Sequence, residues 1–183
     1  MDDILFHADE YILKAKDLID GWQYIEAKRV LEQLIDDEPN HGPAHNLIGW
    51  LFFHHLDNPK QAAKHYQLAI QYAPNFPYTY RNYVQLLVYV GAYKDAISWV
   101  DRALLITEVE KEILLAEKGK AYELLQNFTE ADRYYQEAML ATADDDKIQD
   151  YESALARVET KRQLKQTHVL KNNIQSFSLP NIV

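Results

Sequence analysis

Seven histidines are the side chains best suited to metal or proton chemistry in this chain, and their spacing invites a search for a site. His41 and His45 stand four apart, His54 and His55 are adjacent, and His65 lies further along. A zinc centre needs three or four converging ligands, and the chain holds no cysteine to complete one. His45 also falls on a stripe of apolar positions, where a structural role is the simpler reading. No metal site is expected. The acids Glu108, Glu110 and Glu112 lie at or before a helix start, where carboxylates complement the positive end of the helix dipole. They read as solvated charges and not as an acid–base pair. No glycine-rich phosphate loop, HExxH or GxSxG pattern occurs, and the missing cysteines remove thiol nucleophiles and disulfides together. The sequence predicts no catalytic residue and no cofactor, so an enzyme is not expected.

The elements that carry these residues repeat. Ala27, Ala62, Ala96 and Ala131 are separated by 35, 34 and 35 residues. Leu34, Ala69, Ala103 and Ala138 keep those intervals, as do Leu31, Tyr66, Val100 and Tyr135. An earlier set runs through Tyr11, His45, Tyr80 and Leu115, then Ala15, Gly49, Val84 and Gly119, at 34, 35 and 35. The two sets differ by one residue inserted near Leu56-Asp57-Asn58, and a turn tolerates such an insertion. Within each set the spacing keeps residues on one stripe of a 3.6-residue helix. Each unit is thus two amphipathic helices, A and B, with small residues where the two approach closely. Asn58-Pro59 reads as an N-cap followed by proline at the first helical position. Gly21 and Gly91 fall between A and B helices, where a positive φ is expected of glycine. Pro39 and Pro74 close the first two units, and the third has no such proline.

These columns resemble the tetratricopeptide repeat: small residues at positions 8 and 20, an aromatic or Leu at 11, Ala at 27 and Pro at 32. The stretch PAHNLIGWLFF…AAKHYQLAIQYAPN carries the likeness most clearly. In the first unit Lys14 and Ala15 depart from the pattern, as an atypical terminal repeat does. The resemblance implies an all-α fold, a right-handed α-α superhelix of about four helix-turn-helix repeats plus a C-terminal capping helix. Expected boundaries are 1–41, 42–75, 76–108 and 109–143 for the repeats, 144–165 for the capping helix and 166–183 for a flexible or loosely docked tail. At the capping helix, Asp144, Asp145 and Asp146 would complement one end of the dipole and Lys161, Arg162 and Lys165 the other. The family's A helices line a concave groove, which implies groove positions at Asn46, Trp50, His54, Tyr78, Arg81, Asn82, Gln85, Tyr89 and Lys120. There Trp50, Tyr78 and Tyr89 would supply rigid contact surfaces, Asn46, Asn82 and Gln85 would pair with a peptide backbone, and Arg81 and Lys120 would receive a carboxylate. Carried on, the same positions place Glu117, Glu123 and Leu124 in the groove of the fourth repeat.

Net charge is −9, from 28 acids and 19 bases, which disfavours nucleic acid and anionic lipid as partners. The imbalance is local: residues 1–40 hold eleven acids and four bases, residues 147–183 three acids and six bases. A chain of 183 residues suggests one compact body. The N-terminal MDDILFHADEYILK lacks the basic-then-apolar pattern of a secretory leader, no apolar run is long enough to span a bilayer, and a cytoplasmic protein is expected. The reading is a non-catalytic scaffold or adaptor that binds a peptide segment of a partner protein in its groove. Two alternatives stay open: a dedicated chaperone for an exported protein, similar to the small acidic repeat proteins of type III secretion, and a self-associating scaffold, hence a homo-oligomer.

Overall fold

The computed structural model describes residues 2–177, with side chains over 8–171. It divides into two compact units, Met1–Glu110 and Lys111–Val183, where length alone suggested one. The first holds α1 (Asp2–Asp20), α2 (Tyr24–Asp37), α3 (Gly42–His54), α4 (Pro59–Tyr72), α5 (Pro77–Tyr89) and α6 (Tyr93–Ala103). The second holds α7 (Lys111–Leu124), α8 (Phe128–Leu140) and α9 (Asp145–Phe177). Helices dominate and no strand occurs among the described residues. None of these helices is long and apolar enough to cross a membrane.

Within the first unit each helix packs on the next in series, and the A helices α3 and α5 also touch directly. In the second, α7 packs on α8 and α8 on α9. The repeating columns are what these contacts bury. Ala27, Ala62, Ala96 and Ala131 are sealed, and so are Leu31, Tyr66, Val100 and Tyr135. The small residue at position 8 has a steric cause. A Cβ on Gly49 would meet the Tyr66 ring at 2.8 Å, and one on Gly119 the Tyr135 ring at 3.1 Å.

Local chemistry starts and stops the helices. Asn58 Oδ1 accepts from the Gln61 N–H at 3.2 Å, with Pro59 opening α4 as predicted. Asn127 caps α8 in the same way, and His41 Nδ1 caps α3 by accepting from the Ala44 N–H at 3.0 Å. Two repeats tie the first A-helix turn to the preceding proline: Tyr80 donates to the Pro74 carbonyl at 2.6 Å, and His45 Nε2 lies 2.9 Å from that of Pro39.

Two expectations need correction. The positive-φ residues of the A–B turns are Trp22, Asp57, Gly91 and Gln126, spaced 35, 34 and 35 apart. Gly21 is not among them. The left-handed residue is demanded by the turn, and three of four repeats meet the demand without glycine. The second correction concerns the C-terminal stretch: α9 runs on past Lys165 to Phe177, with no glycine or proline in it to break the helix. Everything from Gln163 to Lys171 is exposed, so no buried stripe imposes an apolar period that a sequence reading could detect. Lys161, Arg162 and Lys165 are therefore not a helix end. Residues 178–183 of the expected tail lie outside the described residues.

Candidate interaction site

The A helices of the first unit share a cleft of about 550 Å³. Helix α1 lends Asp9, Ile12, Lys16, Ile19 and Asp20; α3 lends Pro43, Asn46, Leu47 and Trp50; α5 lends Tyr78, Arg81 and Asn82. Each set follows three- and four-residue steps, so one stripe per helix faces the opening. The opposite stripes carry the packing columns.

Five of the nine groove positions inferred from the sequence line this cleft: Asn46, Trp50, Tyr78, Arg81 and Asn82. The two asparagines already have a partner in each other. Both are buried, at 5% and 4% exposure, and Asn82 Nδ2 donates to Asn46 Oδ1 at 3.0 Å. They brace α3 against α5 and form the cleft floor. Arg81 stays half-exposed but already carries an acid: its guanidinium pairs with Glu110 and lies 5.8 Å from the centre of the Tyr78 ring. Glu110 is 29 residues away, a separation that no local pattern announces.

His54, Gln85 and Tyr89 lie outside the cleft lining. His54 sits in a row of rings along the ends of the A helices. Tyr24 stacks on His55 at 3.6 Å, His55 lies 4.7 Å from Trp50, Trp50 5.2 Å from His54, His54 4.4 Å from Phe53, and Phe53 5.2 Å from Tyr89. Burial, then the neighbouring His55 and Arg81, hold the His54 imidazole below its ordinary range. This rim is aromatic. The sequence raised His55 only as a metal-type histidine; its pairing with Tyr24 joins different repeats.

Lys120 belongs to the second unit, where it is exposed. Its neighbour on α7, Glu123, is buried and closed off. Arg157 grips both its carboxylate oxygens at 2.8 Å, Lys161 donates at 2.7 Å and the Tyr135 hydroxyl at 2.9 Å. Burial opposes the charge, but these donors outweigh it and pull the Glu123 carboxyl down to about 2. The groove position carried onto Glu123 is thus occupied by α9. A similar ion pair joins Arg162 to Asp132.

His45 and His65 are tied into the fold. A carbonyl oxygen only accepts, so His45 Nε2 carries the proton toward Pro39 and His45 Nδ1 accepts from His65 Nδ1 at 3.0 Å. Among the described residues no group of three or more His, Asp or Glu could hold a metal ion.

The sequence matches no family model and no curated protein sequence. Its backbone matches solved structures. Pseudomonas aeruginosa PilF superposes with a TM-score of 0.76 at 15% identity, over 99% of this chain and 79% of that one. PilW, a type IV pilus biogenesis factor, gives 0.68 at 18% identity over 73% of this chain. A tetratricopeptide repeat protein from Parabacteroides merdae gives 0.69 at 17% identity over 84%. The chain has the tetratricopeptide-repeat fold. It spans 61% of the PilW chain and 60% of the Parabacteroides one, and at these identities the likeness carries the architecture alone. The repeat accounts for the position of the cleft, since α1, α3 and α5 are the first helices of their pairs.

Proposed function

We propose that the first unit holds a segment of another protein in the cleft between α1, α3 and α5, and that the chain works as a non-catalytic scaffold. The observation that supports this is the cleft itself. Trp50 and Tyr78 present ring surface, Ile12 and Leu47 present aliphatic surface, and Asp9, Asp20, Lys16 and Arg81 surround them with charge. Rigid rings inside a polar rim are the composition of interface hot spots. His54 and Tyr89 extend the contact surface along the ring row; Lys120 and Gln85 are secondary. Repeat proteins of this fold are generally interaction scaffolds, which agrees with the reading but names no partner.

The test is selection of binders from a displayed random-peptide library on the immobilised chain. Selected peptides should lose about 10-fold or more in affinity to Trp50→Ala, equivalent to about 1.4 kcal/mol or more, and also weaken to Arg81→Glu, with unchanged helicity by circular dichroism. Binders indifferent to both substitutions would place the interaction elsewhere.

A further inference from the structure

Helix α9 outruns the body that it caps. Its first half packs through Tyr151, Ala154 and Val158, all buried. The stretch from Gln163 to Lys171 is exposed throughout, and it holds Leu164, Val169 and Leu170 at 64%, 49% and 62% exposure. The run keeps these three large aliphatic side chains in solvent. It is also cationic. No Asp or Glu follows Glu159, while Lys161, Arg162, Lys165 and Lys171 do. The first two are committed to Glu123 and Asp132, while Lys165, exposed but 3.4 Å from the Gln126 carbonyl and 5.5 Å from the centre of the Phe128 ring, and Lys171 carry the outward charge of the arm.

The cleft of the first unit has the complementary character. Asp9 and Asp20 stand exposed at its α1 wall and outnumber Lys16 between them, Trp50 and Leu47 offer apolar surface inside it, and the charge of Arg81 is met by Glu110. The helices behind that wall belong to the stretch of eleven acids and four bases. Two incomplete surfaces of opposite charge thus occur on one chain.

We propose that the arm of one molecule, residues 163–171, occupies the cleft of a second copy, its lysines toward Asp9 and Asp20 and its aliphatic side chains against the apolar interior. This occupant rests on the cleft being a peptide site. Arm-to-arm pairing would set like charges together, so the contact is head-to-tail. Such a contact leaves one arm and one cleft open at the ends of an assembly until it closes on itself, as a reciprocal dimer or a ring.

Light scattering on the full chain across concentration tests this. The weight-average mass should climb above that of the monomer at low salt and fall back near 0.5 M salt, where charges are screened within about 4–5 Å. The charge-swapped forms Lys165→Glu/Lys171→Glu and Asp9→Lys/Asp20→Lys should each remain monomeric, and an equimolar mixture of the two should regain assembly. A wild-type chain that stays monomeric at all concentrations, its arm in its own cleft or free, overturns the proposal. So does assembly that both swapped forms retain, or a mixture that stays monomeric. Peptide selection repeated on the Lys165→Glu/Lys171→Glu form separates the two readings: Trp50-dependent binders there would leave the cleft a peptide site and remove only this occupant.

Discussion

Gly49 shows how narrowly one residue sets the approach of two helices. Its missing Cβ leaves room for the Tyr66 ring, and the same relation recurs between Gly119 and Tyr135 with a few tenths of an ångström more space. Alanine is favoured over glycine in a helix by about 1 kcal/mol, whereas overpacking a core costs about 1–3 kcal/mol. Contact at 2.8 Å with a buried ring puts Gly49→Ala on the losing side. Urea unfolding should show Gly49→Ala destabilised by about 1–2 kcal/mol, and Gly119→Ala less affected or neutral. The reverse order would mean that the Tyr66 ring moves more freely than its full burial implies. Asn46 and Asn82 carry the opposite lesson. Their side chains suit a peptide backbone, yet their neighbours across α3 and α5 gave them to each other.

At the scale of elements, α9 is held by charge as much as by apolar packing. Glu123 accepts from Arg157, Lys161 and Tyr135 at once, which ties α7, α8 and α9 at one point. Glu123→Gln removes the charge but keeps the shape. Hydrogen bonds to charged groups contribute about 1.5–3 kcal/mol each, and Arg157 and Lys161 retain partial access to water, so the net loss should be about 1–3 kcal/mol. It should appear as faster amide exchange in α9 with α7 and α8 less affected. Unchanged exchange in α9 would show that Tyr151, Ala154 and Val158 hold the helix alone. The A–B turns make a second point at this scale. Their left-handed residues keep the repeat's own interval, although one is Trp22, itself 78% exposed.

On the scale of the molecule, the two units face acid differently. In the first, burial, then the charges of His45 and Lys64, push the His65 imidazole down to about 4, with Glu32 opposing. His45 is lowered too, chiefly by burial and with His41 and Lys64 adding, while its bond to Pro39 opposes. The unfolded chain therefore binds more protons than the folded one between pH 4 and 6.5, and the stability of this unit falls as pH drops through that window. In the second unit the lowered Glu123 keeps its full contribution above pH 4.5 and loses it between 4.5 and 2. All three tryptophans, Trp22, Trp50 and Trp99, lie in the first unit. Under mild denaturant, tryptophan fluorescence should report weakening from about pH 6.5 downward, before the exchange protection of α7–α9 declines. His65→Gln should flatten that early phase. A single transition below pH 4.5, the same with or without His65, would contradict the buried-imidazole account.

The repeat, its paired helices and the stripe facing the cleft were determined by sequence, because each depends on a local period that 3.6 residues per turn converts directly into a face. The positions of Trp50, Tyr78 and Arg81 at one opening follow from that period. Tertiary structure alone decided which of those side chains were already taken. Asn46 met Asn82 from 36 residues away, Arg81 met Glu110, and Glu123 was claimed by α9. The pairing of one polar group with another depends on which helices come to lie side by side, and no interval within a single helix encodes it. The exposed run of α9 was illegible for a related reason. A helix run with no buried face leaves no apolar rhythm in the residues that form it.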